Sequence, residues 1–232
     1  MFFKNRITRF NYLKMVSNTE ENYLKAIFKI SEKETAPAST NAISTEMHTS
    51  AASVSDMIKR LAEKDLVLYE KWKGVTLTKE GKKIATNLIR KHRLWEVFLV
   101  DKLNFSWDEI HPIAEELEHI KSTKLVQHLD EFLGFPKFDP HGDPIPDEHG
   151  NFTFRKQVQL SEFKKGKGII IGVDEHSTQF LQYLDRLSLT LGTSIEIIEV
   201  IDYDGSVRIN INDNKEQIIS NKVAKNLFVK PI

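Results

Sequence analysis

"STNAISTEMHTSAASVSDMIKRLAEKDLVLYEKWKGVTLT", Ser39 to Thr78, decides the fold. Ser39 or Thr40 caps a short helix that runs to about Met47. "HTS" makes a turn, and Ser50 caps a second helix in which Val54, Met57, Ile58 and Leu61 recur on one face. "LVLYEKWKGVTLT" alternates on both sides of "KWKG", which predicts a hairpin with a basic tip and Gly74 in the turn. Upstream, "TEENYLKAIFKISEK" spaces Tyr23, Leu24, Ile27, Phe28 and Ile30 as a helix does, with Thr19 as its expected N-cap and Asn22 at the third helical position. "TAPAST" breaks the chain between them. Downstream, Thr78 caps a long helix through "KEGKKIATNLIRKHRLWEVFLVDKL".

Helix, helix–turn–helix and two-stranded wing in this order predict a winged helix-turn-helix. The second helix of the pair suits the major groove of DNA, about 12 Å wide. Its outward residues are Ser50, Ser53, Ser55, Asp56, Lys59 and Arg60. Small hydroxyls reach phosphates or base edges, and Lys and Arg hold phosphates. Lys71 and Lys73 on the wing add backbone contacts. Asp56 is awkward beside phosphates but can accept a hydrogen bond from a cytosine amine. The competing reading is a protein-interaction module of the same shape.

The chain has 232 residues and no cysteine, which excludes disulfides and thiolate metal sites and fits a reducing compartment. No apolar run approaches the length of a membrane span. "MFFKNRITRF" is basic and aromatic without a following apolar region, so no signal peptide is read there; residues 1–16 are expected to be an extension, with Met15 a candidate start. The balanced charge, 33 basic against 33 acidic residues, hides an asymmetry. Lys59 to Arg93 carries 11 Lys and Arg against 4 Asp and Glu, while Leu94 to Gly150 carries 4 against 13. An anionic partner for the first block and a cationic one for the second is one reading; two solvated surfaces is the other.

The expected domains are 17–87 for the winged helix, 88–150 for a helical unit and 151–232 for a small β-barrel, making the fold mainly α with α+β parts. In the helical unit, Ser106 and Glu109 form an expected capping box, "STKLVQHLDEFLG" is a helix closed by Gly134, and "FPKFDPHGDPIPDEHGNF" is an irregular connector. Beyond it, "QVQLSEF", "KGIIIGV", "SIEIIEVIDYDGSVRINI" and "LFVKPI" are strand-like, with Asp204–Gly205 as a hairpin turn and "STQFLQYLDRLSL" as a short helix.

The chemistry concentrates in "HPIAEELEHI", His111 to Ile120. His111, Glu115, Glu118 and His119 stand at steps of four, three and one, roughly one side of a helix. His92 and Glu96 share a face of the long helix at i,i+4. Imidazoles and carboxylates without thiolate suit Mn2+ or Fe2+. Exposed, the Glu–Glu pair costs only roughly 0.2–0.5 kcal/mol and needs no cation. Buried, unpaired carboxylates cost several kcal/mol each and require a metal or protons. His48, His128, His141, His149 and His176 lack partners at ligand spacing and are expected on the surface or in loops. Phosphate-binding, dinucleotide-binding and nucleophile-elbow motifs are absent, and no acid–base pair with a substrate pocket can be named, so an enzyme is not expected.

From about Thr19 to Ile232 the chain resembles the diphtheria toxin repressor family, including the manganese transport regulators. The resemblance rests on "TEENYLKAIFKI", the winged helix, "RKHRLWEVFLVDKL", "HPIAEELEH" and "PHGDPIP" in this order and spacing. It implies a cytoplasmic homodimer that binds a palindromic double-stranded operator when Mn2+ or Fe2+ is present, without membrane attachment. It also implies that the barrel is SH3-like. Glu115, Glu118 and His119 match the primary metal ligands, and His92, Glu96 and His111 match an ancillary site to which Glu175 contributes, with His176 beside it. A carboxylate at Glu115, where iron-responsive members have Cys, leans toward Mn2+, with Fe2+ as the alternative. An adaptor that binds metal or peptide without regulating transcription is a further alternative. Asn22 stands where the family supplies a Met or Asp ligand, with Glu21 as a neighbouring substitute. Lys25 replaces a Glu ligand of two-domain members, and Pro112 is expected to turn His111 away from helical geometry.

Overall fold

The structure is a computed structural model and describes residues 16–232. All but the last residue of the expected extension, Met15 included, lie outside the described residues. The chain divides into two compact units, one up to Arg90 with Pro146–Asn151, the other Lys91–Ile145 with Phe152–Ile232.

The first unit opens with α1, Asn18–Glu34. Its N-cap is Ser17 and not Thr19: Ser17 Oγ accepts from the Glu20 amide, and the Glu20 carboxylate accepts from the Ser17 amide. The reciprocal pair satisfies two donors where Thr19 would satisfy one. The helix therefore starts earlier than expected, and Asn22 lies past its first turn. Glu20 is buried and also holds Lys64, 2.7 Å away. The helix-turn-helix follows as α2, Thr40–Glu46, and α3, Ala51–Glu63, capped by Ser39 and Ser50. Val54, Ile58 and Leu61 of α3 are buried with Leu24, Ile27 and Phe28 of α1 and Ile43 of α2. The wing is β1, Val67–Glu70, antiparallel to β2, Gly74–Leu77. Ala38 and Val75 exchange backbone hydrogen bonds, which ties β2 to the segment before α2. The long helix α4, Lys79–Leu103, starts where Thr78 Oγ1 caps the Gly81 amide. A Cβ on Gly81 would stand 2.0 Å from the Leu66 carbonyl oxygen, so glycine lets the helix close onto the wing.

In the second unit the rest of α4 packs with α5, Ile110–Leu117, and α6, Thr123–Phe132. Leu94, Trp95, Val97, Ala114, Val126, Leu129 and Ile145 form their shared core. Ser106 and Glu109 pair as expected, but through the Glu109 carboxylate alone, and α5 begins after them without a side-chain cap. Pro112 sits in the first turn of α5, where its missing N–H has no intrahelical acceptor to lose, so His111 stays helical. The expected displacement of His111 does not occur.

The C-terminal part is a six-stranded antiparallel, SH3-like sheet in the order β3-β8-β4-β5-β6-β7. The strands are Val158–Gln159, Gly166–Val173, Ser194–Val200, Val207–Ile211, Lys215–Ile219 and Leu227–Pro231 in chain order. Helices α7, Thr178–Leu187, and α8, Asn221–Lys225, connect them. Leu160, Ile170, Leu181, Leu184, Ile209 and Val229 are in its core. Strand β7 and α8 were not expected: "KEQII" is short, and only Ile219 of it is buried, so its apolar signal is weak.

Candidate metal centre

Helix α4 turns His92 and Glu96 inward together, one turn apart, and both are buried. Helix α5 brings His111 to them. His92 Nε2 is 3.0 Å from Glu96 Oε1 and 3.1 Å from His111 Nδ1. On its other side His92 Nδ1 meets Glu118 Oε2 at 2.6 Å. Glu118 closes α5 as its C-cap residue and is fully buried. A neutral imidazole has one N–H, yet both nitrogens of His92 face carboxylates. The ring is therefore protonated, or a cation replaces one proton. With Nδ1–H donating to Glu118, Nε2 is left to join Glu96 and His111, the carboxylate–histidine–metal arrangement.

A second cluster adjoins the first. Glu96, Asp139 and His141 are all buried and present ligand atoms within 4.8 Å of one another. His141 was expected on the surface or in a loop; it lies in a loop but is fully buried. Gly142 allows this: its φ is +91°, and a Cβ there would strike the Ile171 carbonyl oxygen at 2.2 Å. His141 Nε2 donates to the Trp107 carbonyl at 2.9 Å, which leaves the Nδ1 lone pair facing the Glu96 carboxylate, 3.7 Å away. That Nδ1 is buried without a hydrogen-bond partner. A lone pair opposite a buried carboxylate needs a proton or a metal between them. The donor set thus fits a divalent cation.

The charges are tuned accordingly. Burial alone pushes the Glu96 carboxylate up, but the facing imidazoles of His111, His141 and His92 hold it well below the usual range. Burial lowers His141, and Glu96, Asp139 and the Trp107 carbonyl outweigh it, raising the ring to about 9. Burial, then repulsion from Asp143 and Glu96, raises Asp139 to about 7, with Arg93 and His141 opposing. Arg93 organises the proline-rich connector. Its guanidinium donates to the Pro144 carbonyl at 2.5 Å and meets Asp143 at 2.6 Å and Asp139 at 3.4 Å. Asp139 in turn accepts from the His141 and Asp143 amides.

The remaining expected ligands fall differently. His119 lies beyond the end of α5, its Nε2 3.8 Å from Glu118 Oε1. Glu115 is about half exposed, 3.6 Å from His111 Nε2. Among the described residues, Glu115, Glu118 and His119 do not close into a three-donor cluster. Glu175 accepts a hydrogen bond from Ser177 Oγ, at the cap of α7. Its neighbour His176 stacks on the His141 ring at 4.5 Å between centroids. In the first unit, Asn22 Oδ1 is buried without a hydrogen-bond partner, the property an oxygen donor needs. Asp139 and His141 were missed because they approach α4 through an irregular loop, which Arg93 of α4 holds in place. The only signal near them was "PHGDPIP", which contains His141 and follows Asp139, conspicuous as a string but without periodicity.

The expected DNA-facing residues Ser50, Ser53, Ser55, Asp56, Lys59, Arg60, Lys71 and Lys73 are all exposed. Ser50 Oγ accepts from the Ser53 amide, Ser55 Oγ donates to the Ala51 carbonyl, and Lys59 pairs with Asp56 at 3.2 Å.

Three family models match the chain in register with these parts. The iron dependent repressor N-terminal DNA binding domain covers residues 15–75, the iron dependent repressor metal binding and dimerisation domain 78–147, and the FeoA domain 158–231. The diphtheria toxin repressor of Corynebacterium diphtheriae is 26% identical over 219 residues, which covers 89% of this chain and 95% of that protein. The iron-dependent repressor IdeR of Mycobacterium leprae is 28% identical over 183 residues, covering 75% and 79%. Among solved structures, a manganese-dependent transcriptional repressor in complex with manganese superposes with a TM-score of 0.80 at 31% identity, covering 92% of this chain and all of that one. The manganese regulator SloR superposes at 0.73 with 36% identity, covering 94% and 100%. These relatives are transcriptional repressors rather than enzymes. The chain belongs to the diphtheria toxin repressor family and is a metal-dependent, DNA-binding transcriptional repressor.

Proposed function

We propose that this repressor is activated by Mn2+ rather than Fe2+ and that it binds a palindromic operator as a homodimer in the cytoplasm. The observation that carries the choice of metal is the donor set. It consists of imidazole nitrogens and carboxylate oxygens, in a chain without a single thiolate. Such a set suits Mn2+, and a thiolate in place of Glu115 would favour softer ions. His92, Glu96 and His111 hold one ion. Asp139 and His141 offer a further position that shares Glu96. Glu118 orients His92 and, with Glu115 and His119, belongs to the primary site; Asn22 is assigned as a further oxygen donor to metal. Glu175 remains assigned to the periphery of the ancillary site.

A bound ion supplies positive charge that displaces protons from these imidazoles and joins carboxylates that otherwise repel. Metal and operator then favour the same conformer, so each tightens the other's binding. The homodimer is supported by apolar surface on the helical part of the second unit. Leu103, Phe105, Leu125, Phe132 and Phe135 are all more than a third exposed there. The test is operator binding by fluorescence anisotropy in chelator, in Mn2+ and in anaerobic Fe2+. Mn2+ is expected to restore binding at the lower concentration. Equal affinity in chelator and in metal removes the mechanism, and a response to Fe2+ alone reverses the assignment. Exchanging Glu115 for Cys is expected to shift the preference toward Fe2+.

A further inference from the structure

The wing tip holds a residue that the fold itself does not use. Trp72 is 92% exposed, the indole standing clear of the hairpin. Its φ is +73°, in the left-handed region, at the second central position of the turn closed by the Lys73 amide on the Glu70 carbonyl. That position favours glycine or asparagine, and a bulky side chain there costs conformational energy. No burial of the ring offsets the cost. A local conflict without a packing gain is expected at sites that serve something outside the fold.

The surroundings say what that is. Lys71 Nζ stands over the indole, 5.3 Å from its centre, and Lys73, next in the chain, pairs with Glu70 at 2.6 Å. On the strand leading to the tip, Tyr69 is 53% exposed. The tip thus offers a flat apolar ring under one lysine, with a second lysine next to it in the chain. Its complement is a polyanion with apolar faces between its charges, which describes the sugar–phosphate edge and groove floor of a nucleic acid duplex. The same unit exposes Lys59 and Arg60 on α3.

We propose that Trp72 is a DNA-contacting residue, its indole packing on sugar and base edges of the duplex while Lys71 and Lys73 engage the adjacent phosphates. This rests on the DNA-binding role of the winged helix and adds to it an apolar contact that tolerates many sequences. Removing the ring should weaken binding without altering the number of phosphates neutralised.

The experiment uses the full Mn2+-loaded protein and a duplex that the wild type has selected from a random-sequence pool. Trp72→Gly relieves the left-handed strain, so its thermal midpoint should equal or exceed that of wild type. Its DNA affinity should fall about tenfold with an unchanged salt slope. DNA should quench and shift tryptophan emission in the wild type, and much less in Trp72→Gly. Trp72→Phe should keep most of the affinity. Wild-type affinity in Trp72→Gly overturns the proposal, and would direct the search to an acidic protein surface as the partner. Failure of the wild type to bind any duplex in a salt-dependent way is a different result. It overturns the DNA-binding role first, and this contact with it.

Discussion

The polar residues of α3 and those between α4 and α5 have opposite lives. On α3 they are exposed and satisfied by neighbours three or four residues away: Ser50 with Ser53, Ser55 with Ala51, Asp56 with Lys59. Around His92 they are buried apart from the half-buried His111, and their partners lie far along the chain: Glu118, His111 and, through Glu96, His141. Exposed local pairs contribute little and exchange readily for another partner, which is what a surface that meets phosphates requires. Buried distant pairs cost desolvation that only complete neutralisation recovers. A binding face that works by exchange and a switch that works by occupancy therefore look different before any ligand arrives.

The largest effect should come from breaking the buried set. Glu118→Ala leaves His92 Nδ1 without its acceptor at a buried position. Removing one member of a buried pair costs about 3–5 kcal/mol. Denaturation of the metal-free protein should show that loss. Glu118→Gln keeps the shape and removes the charge, so it should lose far less stability while Mn2+ affinity by calorimetry falls at least about 100-fold. If Glu118→Gln binds Mn2+ as wild type does, the His92 network is a structural ion pair and not part of a metal centre. His141→Ala separates the two clusters. It should weaken one binding event and leave a second at His92, Glu96 and His111.

The contrast also explains what could be read from the sequence. The winged helix was legible nearly to the residue, because Ser39, Ser50 and Thr78 each cap a helix and Val54, Ile58 and Leu61 repeat at helical spacing. Of the expected ligands, His92, Glu96 and His111 come together, since regular helices carry them and helical spacing predicts faces. Glu115 and Glu118 share an expected face, yet one is half exposed and the other fully buried. Spacing says which way a side chain points, not whether a neighbouring element covers it. His141 was illegible for a further reason. It is placed by a turn needing Gly142 at positive φ and by Arg93 reaching from α4, and neither leaves a periodic trace. The N-cap of α1 was misplaced because the Ser17–Glu20 box competes with Thr19 within one turn.

A middle-sized effect belongs to the exposed basic residues. Lys59 and Arg60 hold little of the fold together, so replacing both by alanine should leave the thermal midpoint close to wild type. Each phosphate contact contributes roughly one unit to the slope of log affinity against log salt. The double variant should therefore lower that slope by about 2. An unchanged slope would take α3 out of the interface.

The smallest effect is the most diagnostic, because its sign is in question. Asp56 lies on the same exposed face and neutralises Lys59 across 3.2 Å. As a mere partner of Lys59, it weakens DNA binding by repelling phosphates and by occupying a cation. As an acceptor from a cytosine amine, it weakens general binding yet sharpens the choice of sequence. Asp56→Ala should then raise affinity for random-sequence duplex about twofold. It should also lower discrimination at one base pair of the selected site by about 1 kcal/mol. Anisotropy titrations on the selected site and on single-base variants measure both. A gain on every duplex alike makes Asp56 a regulator of Lys59 only, and a loss confined to duplexes with cytosine at one position makes it a reader of that base.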